Sequence, residues 1–308
     1  MKRTFWYLTL FAAITATALA QTSTPQNNNG KAGTTAQQQG QQPGTAPAKP
    51  HAPATKTPEE FKAYQAALAK PDGPSAEAAA DDFAKQFPNS EVLSPLYQHV
   101  MGLYQNANNN DKTLEMGRKV LSIDPNCGPA LVTVASILAT STRETDLDRD
   151  ERLAEAKKDA TLALDLINQG KAVPPGIPAA QESLYKDTLQ SMAYSALGGI
   201  EFDNKDYAGA EKDLRAAIKP SQAQPDPVTY YQLALTLQRQ GKYPDALATA
   251  QQCVQVSAQS PEVASVCKNL QNYLQKLVNN PPAAKPAAPA SGAPANPAPP
   301  QPSTVQPK

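Results

Sequence analysis

The strongest constraint on the fold is a pair of apolar segments that recurs with the same internal spacing. Two copies match position for position, 36 residues apart: Tyr194, Leu197, Gly198 and Ala210, then Tyr230, Leu233, Ala234 and Ala246. The apolar positions within each segment recur at helical spacing, which predicts two helices per copy. Because neither helix of a pair can bury its apolar stripe alone, successive pairs must stack into a solenoid.

Further copies extend this array on the N-terminal side. In a third copy Tyr104 precedes Thr113 by nine residues, the same spacing that separates Glu201 from Ala210 and Leu237 from Ala246. A fourth copy needs nine additional residues between its helices, and we assign them to a longer turn over residues 143–152. A half-matching pair over residues 61–70 and 75–87 precedes these copies. The array therefore spans residues 58–280.

At these positions the chain resembles the tetratricopeptide repeat family. That family has a bulky aromatic residue, Leu-Gly and Tyr on the first helix, then Ala, an aromatic residue, Ala and Pro on the second. Residues 227–256 match best, and the copy at Tyr194 departs from the pattern at Glu201. The resemblance covers roughly residues 59–280. It implies an all-α solenoid of helical hairpins.

The resemblance also implies a binding groove, because the first helices of such hairpins line a concave surface that binds peptides or partner proteins. The corresponding positions are Gln98, Gly102, Gln105, Val132, Ser136, Ala139, Met192, Ser195, Gly199, Phe202, Val228, Tyr231, Leu235 and Gln238. None is the Lys or Asn with which some members grip a terminal carboxylate. An extended peptide or an amphipathic helix is therefore the expected ligand. The alternative is that these residues pack between neighbouring first helices.

The last apolar segment is typical of a capping helix. Ser260 and Pro261 suit its N-cap and first turn, and one apolar stripe follows: Val263, Val266, Cys267, Leu270, Leu274 and Leu277. Cys253 and Cys267 lie on either side of the turn at Ser260, so antiparallel packing would place them opposite each other. A disulfide and a pair of packed thiols both fit this spacing.

The two ends of the chain differ from the middle. Residues 1–20 have the basic, apolar and small-residue regions of a signal peptide, which predicts export to the periplasm or beyond and no membrane-spanning segment after cleavage. Residues 21–57, rich in Gln, Asn, Pro and Gly, lack the apolar side chains needed for a core and are predicted to be disordered. Residues 281–308 are rich in Pro and Ala, and because proline fixes φ and removes hydrogen-bond donors, they are predicted to form a disordered, extended, polyproline-like tail. Residues 58–280 hold all 28 acidic and 21 of the 28 basic residues. This acidic body argues against nucleic-acid binding.

Residues that could support catalysis or hold a cofactor form no recognisable pattern. The two histidines, His51 and His99, have no Cys or second His at ligand spacing, and the acidic residues between Asp146 and Glu151 lack the spacing of a calcium loop. We therefore predict a non-enzymatic protein without cofactor that binds a protein or peptide in a bacterial envelope. The alternative is a structural envelope protein whose tails contact the cell wall or a surface polymer while the solenoid serves as a spacer.

Overall fold

The computed structural model describes residues 52–174, 177–220 and 225–282, and these ranges contain eleven α-helices and no strand. The helices are α1 Pro58–Leu68, α2 Gly73–Gln86, α3 Leu93–Asn106, α4 Asn110–Ile123, α5 Gly128–Ser141, α6 Arg149–Asn168, α7 Ala179–Asp203, α8 Tyr207–Ile218, α9 Pro227–Arg239, α10 Tyr243–Val256 and α11 Pro261–Asn279. The predicted signal peptide lies outside the described residues, as do most of the N-terminal linker and the tail after Pro282.

The helices stack in the order of the sequence. Each helix packs against the next, and contacts also join α1 to α3, α5 to α7, α7 to α9 and α9 to α11. Odd-numbered helices are the first members of the hairpins, so these contacts bring neighbouring hairpins together. The prediction of an all-α, tetratricopeptide-like solenoid closed by a capping helix is confirmed.

The turn within a hairpin explains the nine-residue spacing found in the sequence. After α9, Gly241 adopts a φ of 76°, and the Lys242 N–H donates to the Leu237 carbonyl over 3.0 Å. This is the longer hydrogen bond of a Schellman motif, which ends a helix with one left-handed residue. The same bond, at 2.9 Å, follows α3 and α7, where Asn108 and Lys205 have positive φ. The next helix therefore begins at a fixed distance from the last apolar position of the first.

Small residues on the second helices allow neighbouring helices to pack closely. Thr113, Ala210 and Ala246 are fully buried. At Gly117 of α4, a Cβ atom would lie 2.7 Å from the Cγ2 atom of Val134 on α5. Bulkier side chains at these positions would separate the helices.

The turn between α5 and α6 is shorter than predicted. It covers residues 142–148, because α6 begins at Arg149 rather than after Arg152. The Arg152 guanidinium donates from Nε to Thr142 Oγ1 over 2.9 Å and from Nη2 to Ser141 Oγ over 2.8 Å. These bonds attach the first turn of α6 to the end of α5. Acidic residues at the start of α6 also favour helix there, because they face the positive end of the helix dipole.

Helix α11 covers the open end of the last hairpin. Cys267, Leu270 and Leu274 are buried, in agreement with the predicted stripe. Val266 is the exception, with 48% of its surface exposed, because it lies at the edge of the stripe. Ser260 occupies the N-cap position as predicted, but its side chain makes no capping hydrogen bond.

Candidate functional site

Charged side chains are concentrated on the second helices of the hairpins. Helices α3 and α5 contain no Lys, Arg, Asp or Glu, α9 contains only Arg239 at its end, and α7 has none over residues 188–200. Ion pairs instead join successive second helices, as between Lys112 and Glu77 at 2.9 Å and between Arg118 and Glu155, where Nε donates to Oε1 over 2.8 Å. Helices α3, α5 and α9 and the middle of α7 are therefore nearly uncharged.

Helix α9 contributes one partly exposed section of the surface of these helices. Val228, Tyr231, Leu235 and Gln238 are all partly exposed, and their spacing of three, four and three residues places them on one helix face. Tyr231 and Leu235 also pack against the buried cluster that α9, α10 and α11 form with Leu214. Tyr231 and Leu235 are thus held in place by the core and are also accessible to solvent, as a groove residue must be.

Helix α7 extends the surface on one side of α9. Met192, Gly199 and Phe202 are partly exposed, whereas Ser195 is buried. The Phe202 ring meets the Tyr207 ring edge-to-face, with centroids 5.5 Å apart. Phe202 is therefore fixed against the start of α8. We refer to Met192, Phe202, Val228, Tyr231, Leu235 and Gln238 as the α7–α9 face.

A short polar network holds α7 and α9 together beneath this face. The Ser195 hydroxyl lies 3.2 Å from the Thr229 hydroxyl, which donates to Asp226 Oδ2 over 2.7 Å. Asp226 also caps α9, because its carboxylate accepts from the backbone N–H groups of Val228 and Thr229. Burial raises the pKa of Asp226, while these hydrogen bonds oppose that rise.

Three members of this region were not singled out from the sequence: Asp226, Thr229 and Gln232, whose amide oxygen lies 3.5 Å from Ser195 Oγ. The Asp-Pro pair at the start of α9 was an available signal, since Asp favours the N-cap and Pro the first helical position. No local sequence pattern indicated the contacts of Ser195 on α7 with Thr229 and Gln232 on α9. They depend on how α7 and α9 are placed side by side.

The groove prediction is wrong for α5. Val132, Ser136 and Ala139 are buried, with exposures of 5% or less. Every residue from Gly128 to Ala139 is buried because α5 is apolar on all sides and packs against α4, α6 and α7. The alternative interpretation, packing between neighbouring helices, holds here and at Ser195.

Helix α3 carries a smaller, separate part of the predicted groove. Gln98, Gly102 and Gln105 are partly exposed, and the buried surface of α5 lies between them and α7. Beside them, the Nε2 atom of His99 is buried without a hydrogen-bond partner among the described residues. Burial lowers the pKa of His99, and a hydrogen bond to the Leu68 backbone opposes that change.

Comparison with known proteins gives a match in the hairpin of α9 and α10, which contributes most of the α7–α9 face. Residues 228–259, which include nearly all of α9 and the whole of α10, match the family model described as Tetratricopeptide repeat. The chain therefore carries a tetratricopeptide repeat. No curated protein matches the chain. Tetratricopeptide repeats suggest a protein-interaction scaffold, and the match falls on the hairpin where the sequence resembles the family best.

A disulfide joins this repeat to the capping helix. Cys253 of α10 and Cys267 of α11 are bonded, with Cα atoms 5.7 Å apart, and both are fully buried. Cys127 is a free, buried thiol at the N-cap of α5. Burial raises the pKa of Cys127 to about 12, so its reactive thiolate form is scarce.

Outside the tetratricopeptide repeat, the described residues provide few other candidate sites. In the described ranges no cluster of three His, Cys, Asp or Glu side chains could hold a metal ion. None of the helices in those ranges is both long and apolar enough to span a membrane. An open polar depression lies between the α5–α6 turn and the end of α7. There the Arg149 guanidinium donates to the Asp203 carbonyl and to Asn204 Oδ1, which attaches the turn to α7.

Proposed function

We propose that the α7–α9 face binds an uncharged, extended protein segment, and that the protein is a non-catalytic scaffold exported into a bacterial envelope. The observation that carries this proposal is the position of Tyr231 and Leu235. Both are partly exposed on a helix whose only charged residue is Arg239, and both belong to a family-matched repeat.

The chemistry of the face favours a peptide backbone over a charged group. With no Lys or Arg among its six residues, the face has no charged partner for a carboxylate or a phosphate. Gln238 can both donate to and accept from a peptide backbone. Tyr231, Leu235 and Met192 offer apolar surface to the ligand's side chains, and a phenol provides that area at low entropic cost.

Two observations support export. The Cys253–Cys267 disulfide is typical of proteins that mature in an oxidising compartment, and the buried Cys127 is shielded from exchange with it. Residues 1–20 have the pattern of a signal peptide. The test is N-terminal sequencing of the native protein. A chain that starts at Gln21 supports export, and one that retains Met1 rejects it.

The binding function is tested by affinity capture from an envelope extract of the native host. A chain with Tyr231→Ser and Leu235→Ser is compared with one carrying Lys212→Ser and Gln251→Ser, two exposed positions on α8 and α10. Circular dichroism first establishes that both variants fold.

We expect the face variant to lose the proteins that the parent captures and the control to keep them. An unchanged set of captured proteins with the face variant would reject the proposed face. If the face variant also stayed attached to the envelope, the spacer role would be favoured instead.

A further inference from the structure

The last helix of the solenoid also has exposed apolar side chains. On α11, Val266 and Tyr273 are 48% and 50% exposed, and their spacing of seven residues places them on one side of the helix. Leu277, one turn beyond Tyr273, packs against the same buried cluster as Tyr231 and Leu235. Tyr231 and Leu235 of α9 and Leu277 of α11 therefore pack on a common core.

This combined region carries no charge on its exposed members. We define the α9–α11 surface as Val228, Tyr231, Leu235, Gln238, Val266 and Tyr273. It contains two tyrosines, three aliphatic residues and one amide. Tyrosines beside aliphatic side chains are the usual lining of grooves that bind proline-rich segments, because proline rings pack flat on aromatic faces.

A segment of that composition begins where α11 ends. Helix α11 finishes at Asn279, Pro281 and Pro282 follow, and 26 residues remain after Pro282. Those 26 residues hold eight prolines, two lysines and no acidic or aromatic residue. The two lysines are compatible with docking on a body that is acidic overall.

The tail is also long enough to reach the surface. In polyproline II conformation 26 residues span roughly 80 Å, at about 3.1 Å per residue. The α9 face from Val228 to Gln238 is only about 15 Å long, and Tyr273 lies about 9 Å before the end of α11. Attachment through a short connection also gives the tail a local concentration on the order of millimolar.

We infer that residues 283–308 dock on the α9–α11 surface of the same chain, as an internal proline-rich ligand that a protein partner must displace. This inference rests on the proposed function, because it places the tail over Tyr231 and Leu235. It deepens that function by naming the class of ligand, a proline-rich segment, and by making partner binding competitive.

The test uses the full-length chain, purified alone, with a photo-cross-linking amino acid introduced site-specifically. Tyr231→p-benzoylphenylalanine and Tyr273→p-benzoylphenylalanine probe the surface, and Lys212→p-benzoylphenylalanine on α8 is the matched control. Equal amounts of ¹⁴N-labelled and ¹⁵N-labelled chains are mixed before irradiation. Mass spectrometry then identifies the cross-linked peptide and shows whether both halves come from one chain.

We expect tail peptides from both tyrosine positions, about tenfold more than from Lys212, with no mixing of isotopes. A second variant in which the eight prolines of residues 283–308 become serine should lose these cross-links, because length and charge are kept while the proline rings are removed. Equal yields from Lys212, isotopically mixed products, or products from residues 21–51 would each overturn the inference.

Failure of the inference and failure of the proposed function give different results. If the tail does not cross-link but Tyr231→Ser with Leu235→Ser still abolishes partner capture, the inference is wrong and the face remains the binding site. If the tail does cross-link, a chain ending at Asn280 should capture more partner than the full chain. Equal capture by the two chains would contradict the competition that the inference requires.

Discussion

Gly198 of α7 lies so close to Leu214 of α8 that a Cβ atom on the glycine would come within 2.6 Å of the leucine Cγ atom. Gly199, the next residue, has open space at the same point. We expect Gly198→Ala to lower the free energy of unfolding by up to about 2 kcal/mol, because overpacking outweighs the gain in helix propensity. Urea denaturation measures the change.

Gly199→Ala is the matched control for that substitution. It gains helix propensity without a clash, so we expect it to raise the free energy of unfolding by up to about 1 kcal/mol. Equal effects of the two substitutions would show that α7 and α8 are not packed as closely as described.

The left-handed turn residues make a second prediction with opposite signs at equivalent positions. Gly241→Ala places a Cβ atom at a φ of 76° and should cost about 1–2 kcal/mol. Lys205→Gly relieves a φ of 65° at the corresponding turn and should stabilise the protein by up to about 1 kcal/mol. Thermal melts of the two variants check the signs. Destabilisation by Lys205→Gly would contradict the equivalence of the two turns.

Asp159 of α6 makes stability depend on pH. Its side chain is buried, and burial together with nearby Glu155 raises the pKa of Asp159 to about 6. The pKa of Asp159 in the folded state is above its value in the unfolded chain. The contribution of Asp159 to the free energy of unfolding is therefore fully present below about pH 4 and is lost as the pH rises through 6. Asp159→Asn should therefore be more stable than the parent at pH 8, by about 1–2 kcal/mol, and should lose that advantage near pH 4.

Asp165→Asn is the control for the pH dependence, because Asp165 is exposed on the same helix. Both variants are compared with the parent by urea denaturation at pH 4, 6 and 8. A difference for Asp159→Asn that does not change with pH would show that the Asp159 carboxyl group does not titrate differently in the folded state.

The disulfide predicts a simple thiol count. Denatured, unreduced protein should show one alkylatable thiol, Cys127, and reduced protein should show three. The disulfide joins residues that are 14 apart in sequence. Replacing both with Cys253→Ala and Cys267→Ala should therefore lower the free energy of unfolding by about 3 kcal/mol under oxidising conditions. The parent's stability should fall on reduction, and that of the double variant should not. Three thiols before reduction would exclude the bond.

The sequence was sufficient to predict the hairpins because their turns are local. The Schellman hydrogen bond between Lys242 and Leu237 fixes the position of the next helix. The spacing of Leu237 and Ala246 is therefore enough to predict the hairpin. The start of α6 was missed because the bonds from Arg152 back to Ser141 and Thr142 cross a turn whose composition alone suggests a loop.

The candidate site was less predictable than the fold. The α9 residues were assigned from a repeat pattern that records which helix side is apolar, and Tyr231 and Leu235 follow it. Val132 and Ser136 occupy the same pattern positions, yet α5 is enclosed by three helices. Enclosure depends on the length and path of α7, which spacing within one hairpin does not specify. The only local feature that indicated the burial of α5 was that this helix is apolar on all sides.

The most direct test of the account is amide hydrogen exchange of the full chain, with and without a protein recovered by capture through the α7–α9 face. We predict that the bound protein slows exchange in α9 and in the second half of α7, and leaves α4, α6 and α8 unchanged. Protection confined to α4, α6 and α8, with no change in α9, would contradict the claim that the α7–α9 face is the binding surface.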